Sequence, residues 1–291
     1  MRTSSSAKAR VLFIIAAAAF GTISIFVKRI PLTSAEISLW RAVIACVVLL
    51  GYILATGRLG EIPRLGRKLI PLFVSGAAIG FNWILLFTAY RYTTVALSTL
   101  AYYFAPTLII AGSVAFFREK LTLKQIVCFV ASTAGLVLII GVSGGGSSDL
   151  TGLLFGLGAA LLYASVVLLN KRIGDVDGII RTWVQFASAV VVLTPYVALT
   201  GGFHAFEMDG AAWLNLGILG VVHTGICYVF YFTSLSRLHG QEAAILSYID
   251  PAVSVLVSVF FLHEPITGLQ LLGGALILLF AMLNEIKFKR S

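Results

Sequence analysis

The chain has 291 residues, of which 59% are hydrophobic and only 11% are charged, and its formal net charge is +9. A soluble domain carries about 25% charged residues, so this composition excludes an ordinary soluble domain. Apolar segments recur along the whole chain, and about 20 apolar residues suffice for a helix to cross a bilayer. The strands of a β-barrel would instead alternate apolar and polar residues. The sequence therefore predicts an all-α polytopic membrane protein.

Ten apolar segments, taken in chain order, are candidates for transmembrane helices. They comprise residues 11–27, 34–54, 69–90, 95–117, 125–142, 151–170, 178–199, 213–235, 243–262 and 269–283. Basic residues precede the first segment, as they do in a signal peptide. This segment is long, however, and it has a counterpart in the second half of the chain, so we interpret it as a retained helix.

The basic residues predict how the helices are oriented. If the N-terminus faces the cytoplasm, 17 of the 21 Lys and Arg residues fall in cytoplasmic segments, Lys28, Arg29 and Arg91 fall in external segments, and Arg41 lies within a span. Lys and Arg accumulate on the cytoplasmic side of membrane proteins, so both termini are expected there. The positive charge then determines the orientation of the helices in the membrane and attracts anionic lipid headgroups. Nucleic acid is not expected as a partner.

The two halves of the chain resemble each other when they are offset by 145 residues. Ten residues between positions 87 and 125 are identical to their counterparts without a gap, including the pairs Tyr103/Tyr248, Pro106/Pro251, Glu119/Glu264 and Gln125/Gln270. A glycine- and serine-rich stretch at residues 143–148 is typical of a flexible joint. We therefore predict one five-helix repeat at residues 1–145 and a second at residues 146–291. Because five is odd, the second repeat is inverted in the membrane, which is typical of secondary transporters.

The spacing of proline and glutamate in each half, together with the turns of pattern E-x-L/I-T-x-x-Q, resembles the drug/metabolite transporter superfamily, EamA branch. The resemblance covers nearly the whole chain. It implies ten helices, a central cavity lined mainly by the third, fourth, eighth and ninth spans, and export of small metabolites. Proteins that the chain resembles include exporters of amino acids and antiporters of nucleotide sugars or sugar phosphates.

Candidate substrate-binding residues are polar or aromatic side chains deep in the four spans that the resemblance places around the cavity. They are Asn82, Trp83, Tyr102, Tyr103, His223, Tyr248 and Asp250. A charge at the bilayer centre costs roughly 2.5–3.5 kcal/mol on insertion scales, so Asp250 is expected to face a cavity and to bind a proton or a substrate amine. The alternative is a structural role in which Asp250 pairs with Arg41. His223 is a candidate proton acceptor, with a satisfied polar group as the alternative. Trp83 is suited either to stack on a flat substrate or to fill the interior.

Two prolines and three charged residues complete the candidate list. Pro106 and Pro251 each interrupt an apolar span, and a proline inside a helix removes a hydrogen bond and bends the helix. We predict that they are matched hinges. Arg41, Glu119 and Glu264 are assigned structural roles. The span of Arg41 is not expected to line the cavity, although an alternative interpretation makes its side chain the anchor of a substrate carboxylate.

The favoured function is export of small organic metabolites by alternating access, with aromatic or other bulky amino acids, or related compounds, as substrates. A phosphate substrate would need several convergent Lys or Arg residues, which the spans lack. Alternatives are a multidrug or amine exporter of the same fold, an intramembrane enzyme and a channel. The sequence contains neither a catalytic constellation nor a nucleotide-binding glycine motif, and no metal or other cofactor is predicted. We expect a monomer in a bacterial or archaeal plasma membrane, with proton coupling left open.

Overall fold

The computed structural model describes residues 2–142 and 147–285, and within these ranges the only regular secondary structure is helical. Nine helical segments of the described residues are long and apolar enough to cross a membrane, and a tenth apolar segment, Ile245–Phe261, is shorter. The prediction of an all-α polytopic membrane protein is therefore confirmed. The orientation of its termini stays a prediction.

Ten spans follow one another along the chain, and four of them are interrupted. In order, span 1 comprises Arg2–Gly21 and Ile23–Val27, span 2 Ser34–Ala55, span 3 Leu69–Tyr92, span 4 Val95–Tyr102 and Ala105–Phe117, span 5 Leu123–Val142, span 6 Ser147–Ile173, span 7 Gly178–Thr200, span 8 Gly210–Gly217, Ile218–Ile226 and Cys227–Leu235, span 9 Gly240–Ser247, Ile249–Leu256 and Val257–Phe261, and span 10 Gly268–Glu285. The segments Ile218–Ile226 and Val257–Phe261 are π-helical. Both π-helical segments lie in the second half.

Spans 4 and 9 are interrupted at equivalent positions. The first helix of span 4 ends before Tyr103, and the first helix of span 9 ends before Tyr248, which is 145 residues further along. Pro106 and Pro251 lie in the first turn of the helix that follows each interruption. A proline has no N–H to donate, and the first turn of a helix is where that loss is tolerated. The repeated prolines thus begin new helices within the membrane.

The turns after spans 4 and 9 also share one local structure. Thr122 and Gln125 exchange hydrogen bonds, with the Thr122 N–H donating to Gln125 Oε1 at 2.9 Å and the Gln125 N–H donating to Thr122 Oγ1 at 3.2 Å. Thr267 and Gln270 make the same pair of bonds, at 2.8 and 3.2 Å. This reciprocal arrangement is a capping box, which satisfies N–H groups at the start of a helix. The repeated T-x-x-Q sequence therefore starts spans 5 and 10.

Packing groups the spans into two bundles that each draw on both halves of the chain. Span 8 packs against spans 1 and 2, and span 9 packs against span 1, whereas span 3 packs against spans 6 and 7, and span 4 packs against span 6. We call spans 1, 2, 8 and 9 the first bundle and spans 3, 4, 6 and 7 the second bundle. Exchanging spans 1–5 with spans 6–10 converts the contacts of one bundle into those of the other. An inverted repeat requires this correspondence.

Glycines bring the helix backbones of paired spans into close approach. A Cβ atom built on Gly135 of span 5 would lie 2.6 Å from the carbonyl oxygen of Gly273 in span 10, and the reverse distance is also 2.6 Å. A Cβ atom on Gly76 of span 3 would lie 2.3 Å from the carbonyl oxygen of Gln185 in span 7. Small residues at such crossings allow membrane helices to pack without a hydrophobic driving force.

Candidate functional site

A cavity of about 510 Å³ lies between the two bundles, and we call it the central cavity. Seven of the ten tyrosines of the chain line it, namely Tyr90, Tyr102, Tyr103, Tyr163, Tyr228, Tyr231 and Tyr248. The cavity reaches Asn170, Arg181, Leu235 and Glu285, which lie close to the ends of spans 6, 7, 8 and 10. It therefore extends from the middle of the bundles towards the side of the membrane where span 4 ends.

Most of the predicted substrate-binding residues lie in the wall of the central cavity. They are Asn82, Trp83, Tyr102, Tyr103, Tyr248 and Asp250. Their roles in binding stay predictions. Pro106 also lines the cavity, whereas Pro251 is buried outside its lining.

His223, which we predicted to contact the substrate, lies outside the lining of the central cavity. Its ring is almost fully buried, with Nε2 2.9 Å from Thr22 Oγ1 and Nδ1 3.2 Å from the carbonyl oxygen of Ile218. Both ring nitrogens therefore have partners, and the imidazole joins the π-helical segment of span 8 to the interruption of span 1. In this position His223 is a satisfied polar group.

Asp250 is held by contacts from two other spans. Its Oδ2 atom accepts a hydrogen bond of 2.8 Å from the hydroxyl of Tyr103 in span 4. Span 1 packs directly on its backbone, since a Cβ atom on Gly21 would lie 2.6 Å from the Asp250 carbonyl oxygen. Within the described part of the chain, Oδ1 has no hydrogen-bond partner, and the residue borders the cavity.

Arg41 also lies in the cavity wall, although we had expected its span to lie outside the lining. Its Nε donates a hydrogen bond of 2.7 Å to Thr224 Oγ1, and its guanidinium carbon lies 4.3 Å from the ring centre of Trp83 and 5.5 Å from that of Phe87. Cation–π contacts of this kind stabilise a cation that has left water. Span 2 packs between spans 3 and 8, and the long Arg41 side chain thereby reaches the cavity.

The side of the bundles that carries Glu264, which we call the Glu264 end, is closed by a compact network. Glu264 forms an ion pair with Lys28 at the end of span 1, and its Oε2 atom accepts hydrogen bonds from the backbone N–H of Val95 at 2.8 Å and from the hydroxyl of Ser258 at 2.5 Å. The Ser258 hydroxyl oxygen in turn accepts a bond of 3.1 Å from the backbone N–H of Ala96. These contacts join the ends of spans 1, 4 and 9.

The opposite side, which we call the Glu119 end, carries the counterpart of this ion pair. Glu119 at the end of span 4 pairs with Lys171 near the end of span 6, at 2.5 Å. The Glu119 side chain is 50% exposed, whereas that of Glu264 is 12% exposed. The structural roles predicted for both glutamates stay predictions, and the two equivalent residues have unequal surroundings.

Two aromatic residues separate the central cavity from the Glu264 end. Phe87 and Tyr90 line the central cavity and also a second depression of about 550 Å³ beside Lys28 and Pro31. Both aromatic side chains are buried. They form a thin barrier between the cavity and the surface at the Glu264 end.

Some cavity residues could not be identified from the sequence. Phe20 of span 1, Tyr163 of span 6 and Phe186 of span 7 all line the cavity and contact its tyrosines, with the rings of Phe20 and Phe186 each centred 5.2 Å from the ring of Tyr228. In a largely apolar span, the sequence does not show whether an aromatic residue faces the cavity or the lipid. Only the packing of the two bundles reveals these residues.

Comparison with known proteins gives matches along almost the whole chain. The model of the EamA-like transporter family matches residues 7–141 and 150–285. The chain is similar to the uncharacterized transporter YxxF of Bacillus subtilis (strain 168), with 29% identity over 86% of this chain and 81% of that protein. It is also similar to the threonine/homoserine exporter RhtA of Salmonella typhimurium (strain SL1344), with 28% identity over 49% of this chain and 48% of that protein.

The overall architecture also matches a solved structure. The match to this crystal structure has a TM-score of 0.66 and covers 94% of this chain and 96% of the other, at 19% sequence identity. At that identity the match concerns the fold alone.

Proposed function

Because the chain belongs to the EamA-like transporter family, as its sequence resemblance predicted, we propose that it carries amino acids with aromatic or other bulky side chains across the membrane by alternating access. The chain is an integral multi-pass membrane protein, and its bacterial relatives indicate the plasma membrane. The direction that we propose is export from the cytoplasm.

The observation that carries this proposal is the composition of the central cavity. Ligand sites for small molecules have volumes of roughly 300–1,000 Å³ and combine apolar walls with a few placed polar groups. The central cavity has a volume of about 510 Å³, twelve of its lining residues are tyrosine, phenylalanine or tryptophan, and Asp250 places a carboxylate near mid-span. A bulky amphipathic molecule suits such a wall. The exporter function of the relative RhtA supports the amino-acid class.

The proposed mechanism follows from the unequal ends of the bundles. In this structure the Glu264 end is closed by the network around Glu264 and by the Phe87–Tyr90 barrier, while the central cavity extends towards the Glu119 end. On the predicted topology the Glu119 end faces the cytoplasm. We propose that the two bundles rock so that the Glu264 network opens as the Glu119 end closes. The interruptions before Pro106 and Pro251 are then the points of bending.

A binding screen followed by flux measurements tests this function. The purified protein would be titrated with amino acids, amines, nucleosides and sugar phosphates in thermal-shift assays, and the ligands found would be assayed as substrates for counterflow in proteoliposomes. We expect stabilisation and counterflow with bulky amino acids. A preference for phosphorylated sugars or for simple amines would overturn the amino-acid assignment. Stabilisation without counterflow would overturn transport of that ligand.

A further inference from the structure

Arg41 and Asp250 carry opposite charges into the wall of the same cavity without pairing with each other. Neither residue takes part in an ion pair among residues 2–142 and 147–285. Opposite charges in a site of low dielectric attract strongly, so a ligand that carries both charges can engage the two residues at once. Each residue is bound by contacts from other spans.

The restraint on Arg41 comes from spans 3 and 8. Thr224 donates its hydroxyl proton to the carbonyl oxygen of Leu219 at 2.7 Å, so the Thr224 hydroxyl oxygen is oriented to accept the bond from Arg41 Nε. Trp83 and Phe87 hold the guanidinium group through their rings. Arg41 lines the cavity, and its two terminal nitrogens have no hydrogen-bond partner in the described structure.

The restraint on Asp250 comes from spans 1 and 4. Tyr103 occupies Oδ2, and the close approach of Gly21 fixes the backbone of Asp250 against span 1. Oδ1 is left for a donor that arrives through the cavity. The site thus presents an unused pair of donors from span 2 and an unused acceptor from span 9, with aromatic side chains around them.

On the basis of the proposed transport function, we propose that Arg41 binds the α-carboxylate and Asp250 binds the α-ammonium group of one free amino acid. A planar guanidinium matches a carboxylate with two parallel hydrogen bonds, and an ammonium group donates well to a carboxylate oxygen. A zwitterion brings no net charge into the membrane interior. Tyr228 and Phe186 then provide an apolar surface for the side chain of the amino acid.

Arg181 is the rival anchor for a carboxylate, because it also lines the central cavity. Its Nη2 atom donates to the carbonyl oxygens of Gly174 and Val176, at 2.9 and 3.1 Å, which directs that part of the guanidinium towards the loop before span 7. Its Nε atom is buried and unpaired. The variant Arg181→Gln is therefore a matched control for Arg41→Gln.

The test compares amino acids with analogues that lack one of the two charged groups. Binding to the purified protein would be measured calorimetrically for L-phenylalanine, 3-phenylpropionate and phenethylamine, and for L-leucine, 4-methylpentanoate and isopentylamine. Because a hydrogen bond to a charged group changes affinity by about 10-fold or more, the wild type is expected to bind the better amino acid at least about 10-fold more tightly than either of its analogues.

Each variant is expected to remove one preference and to retain the other. Arg41→Gln should bind the amine as tightly as the amino acid while still disfavouring the carboxylic acid, and Asp250→Asn should show the mirror-image pattern. Arg41→Lys should retain part of the preference for a carboxylate that Arg41→Gln loses, because lysine keeps the positive charge but lacks the planar pair of N–H donors. A loss of stability that is common to all variants cannot produce these opposite patterns.

The outcomes separate this inference from the proposed function. If the wild type binds an amino acid but Arg41→Gln and Asp250→Asn retain its order of preference, this inference is overturned and the amino-acid function stands. It is equally overturned if Arg181→Gln, in place of Arg41→Gln, removes the preference for a carboxylate. If the wild type binds neither L-phenylalanine nor L-leucine, the proposed function is overturned and this inference with it.

Discussion

Spans 4 and 9 share an interrupted helix, a proline in the turn that follows, and a residue of left-handed conformation at the end, Arg118 with φ 55° and His263 with φ 53°. Their terminal glutamates nevertheless differ, since Glu264 lies within a closed network and Glu119 is exposed. The shared features are those that bend and end a helix. The unshared features define which side of the cavity is closed and which chemical groups it presents. The features that spans 4 and 9 share therefore concern how each span bends, whereas the features that differ concern which end is closed and which substrate fits.

The largest expected effect concerns a charge beside the interruption that span 9 carries and span 4 lacks. Asp250 in span 9 corresponds to Ala105 in span 4. Truncating one member of a buried charged contact costs 2–5 kcal/mol or more, so Asp250→Asn should lower the flux of a bulky amino acid in proteoliposomes by roughly 30-fold or more. It should also remove any dependence of that flux on a pH gradient. Asp175→Asn, at an exposed loop position, is the control that should leave both unchanged.

Retention of the pH dependence in Asp250→Asn would exclude this carboxylate as a proton site. Retention of full flux would show that the difference between spans 4 and 9 at this position has no part in transport.

A smaller difference is expected between the two glutamates themselves. Glu264→Gln removes the charge that pairs with Lys28 and that accepts two hydrogen bonds. A hydrogen bond to a charged group contributes about 1.5–3 kcal/mol to stability. The exposed ion pair of Glu119 contributes only about 0–1 kcal/mol. We therefore expect Glu264→Gln to open the Glu264 end and Glu119→Gln to have little effect. The measurement is labelling of a Thr99→Cys reporter from the Glu264 end, in a protein whose Cys46, Cys128 and Cys227 have been replaced.

Thr99 is a suitable reporter because it is buried, is bonded to Ser254 at 3.3 Å and lines the central cavity. Equal labelling rates in the two glutamine variants would contradict the assignment of the closed end to the Glu264 network.

The matched prolines are expected to behave alike. Pro106→Ala and Pro251→Ala each allow a continuous helix across an interruption, so each should slow flux several-fold while the protein remains folded by size-exclusion chromatography. Pro195→Ala is the control, since Pro195 lies inside span 7 without a counterpart in the repeat. An equal effect of Pro195→Ala would mean that the prolines act through general helix stability and not as matched hinges.

The smallest expected effect concerns the capping boxes. Thr122→Ala and Thr267→Ala each remove the side chain that caps span 5 or span 10, at a cost of about 0.5–2 kcal/mol. Both should lower the midpoint of thermal unfolding in detergent by a similar amount and leave the order of ligand preference unchanged. A larger decrease for Thr267→Ala would show that the closed Glu264 end adds to the stability of its turn.

Local sequence determined what could be predicted. Apolar length predicted the spans, and the matched prolines indicated where spans 4 and 9 are interrupted, because these features act within a few residues along the chain. The cavity wall depends instead on which helix faces meet. Arg41 was expected outside the lining because the family resemblance does not place span 2 there, whereas its bond to Thr224 joins residues 183 positions apart. His223 was expected in the cavity because it lies at the middle of a lining span, a position that does not reveal its partners Thr22 and Ile218.

The interleaving of the two bundles has a consequence for biosynthesis. Span 3 enters the membrane long before spans 6 and 7, its main packing partners, have been synthesised. Until span 6 arrives, the Asn82 amide lacks the Ala159 carbonyl oxygen that accepts its hydrogen bond at 2.6 Å. A ribosome that pauses after span 5 leaves neither bundle complete, and the nascent first half waits in lipid with polar groups unsatisfied. The two bundles can therefore be completed only after spans of the second half have entered the membrane.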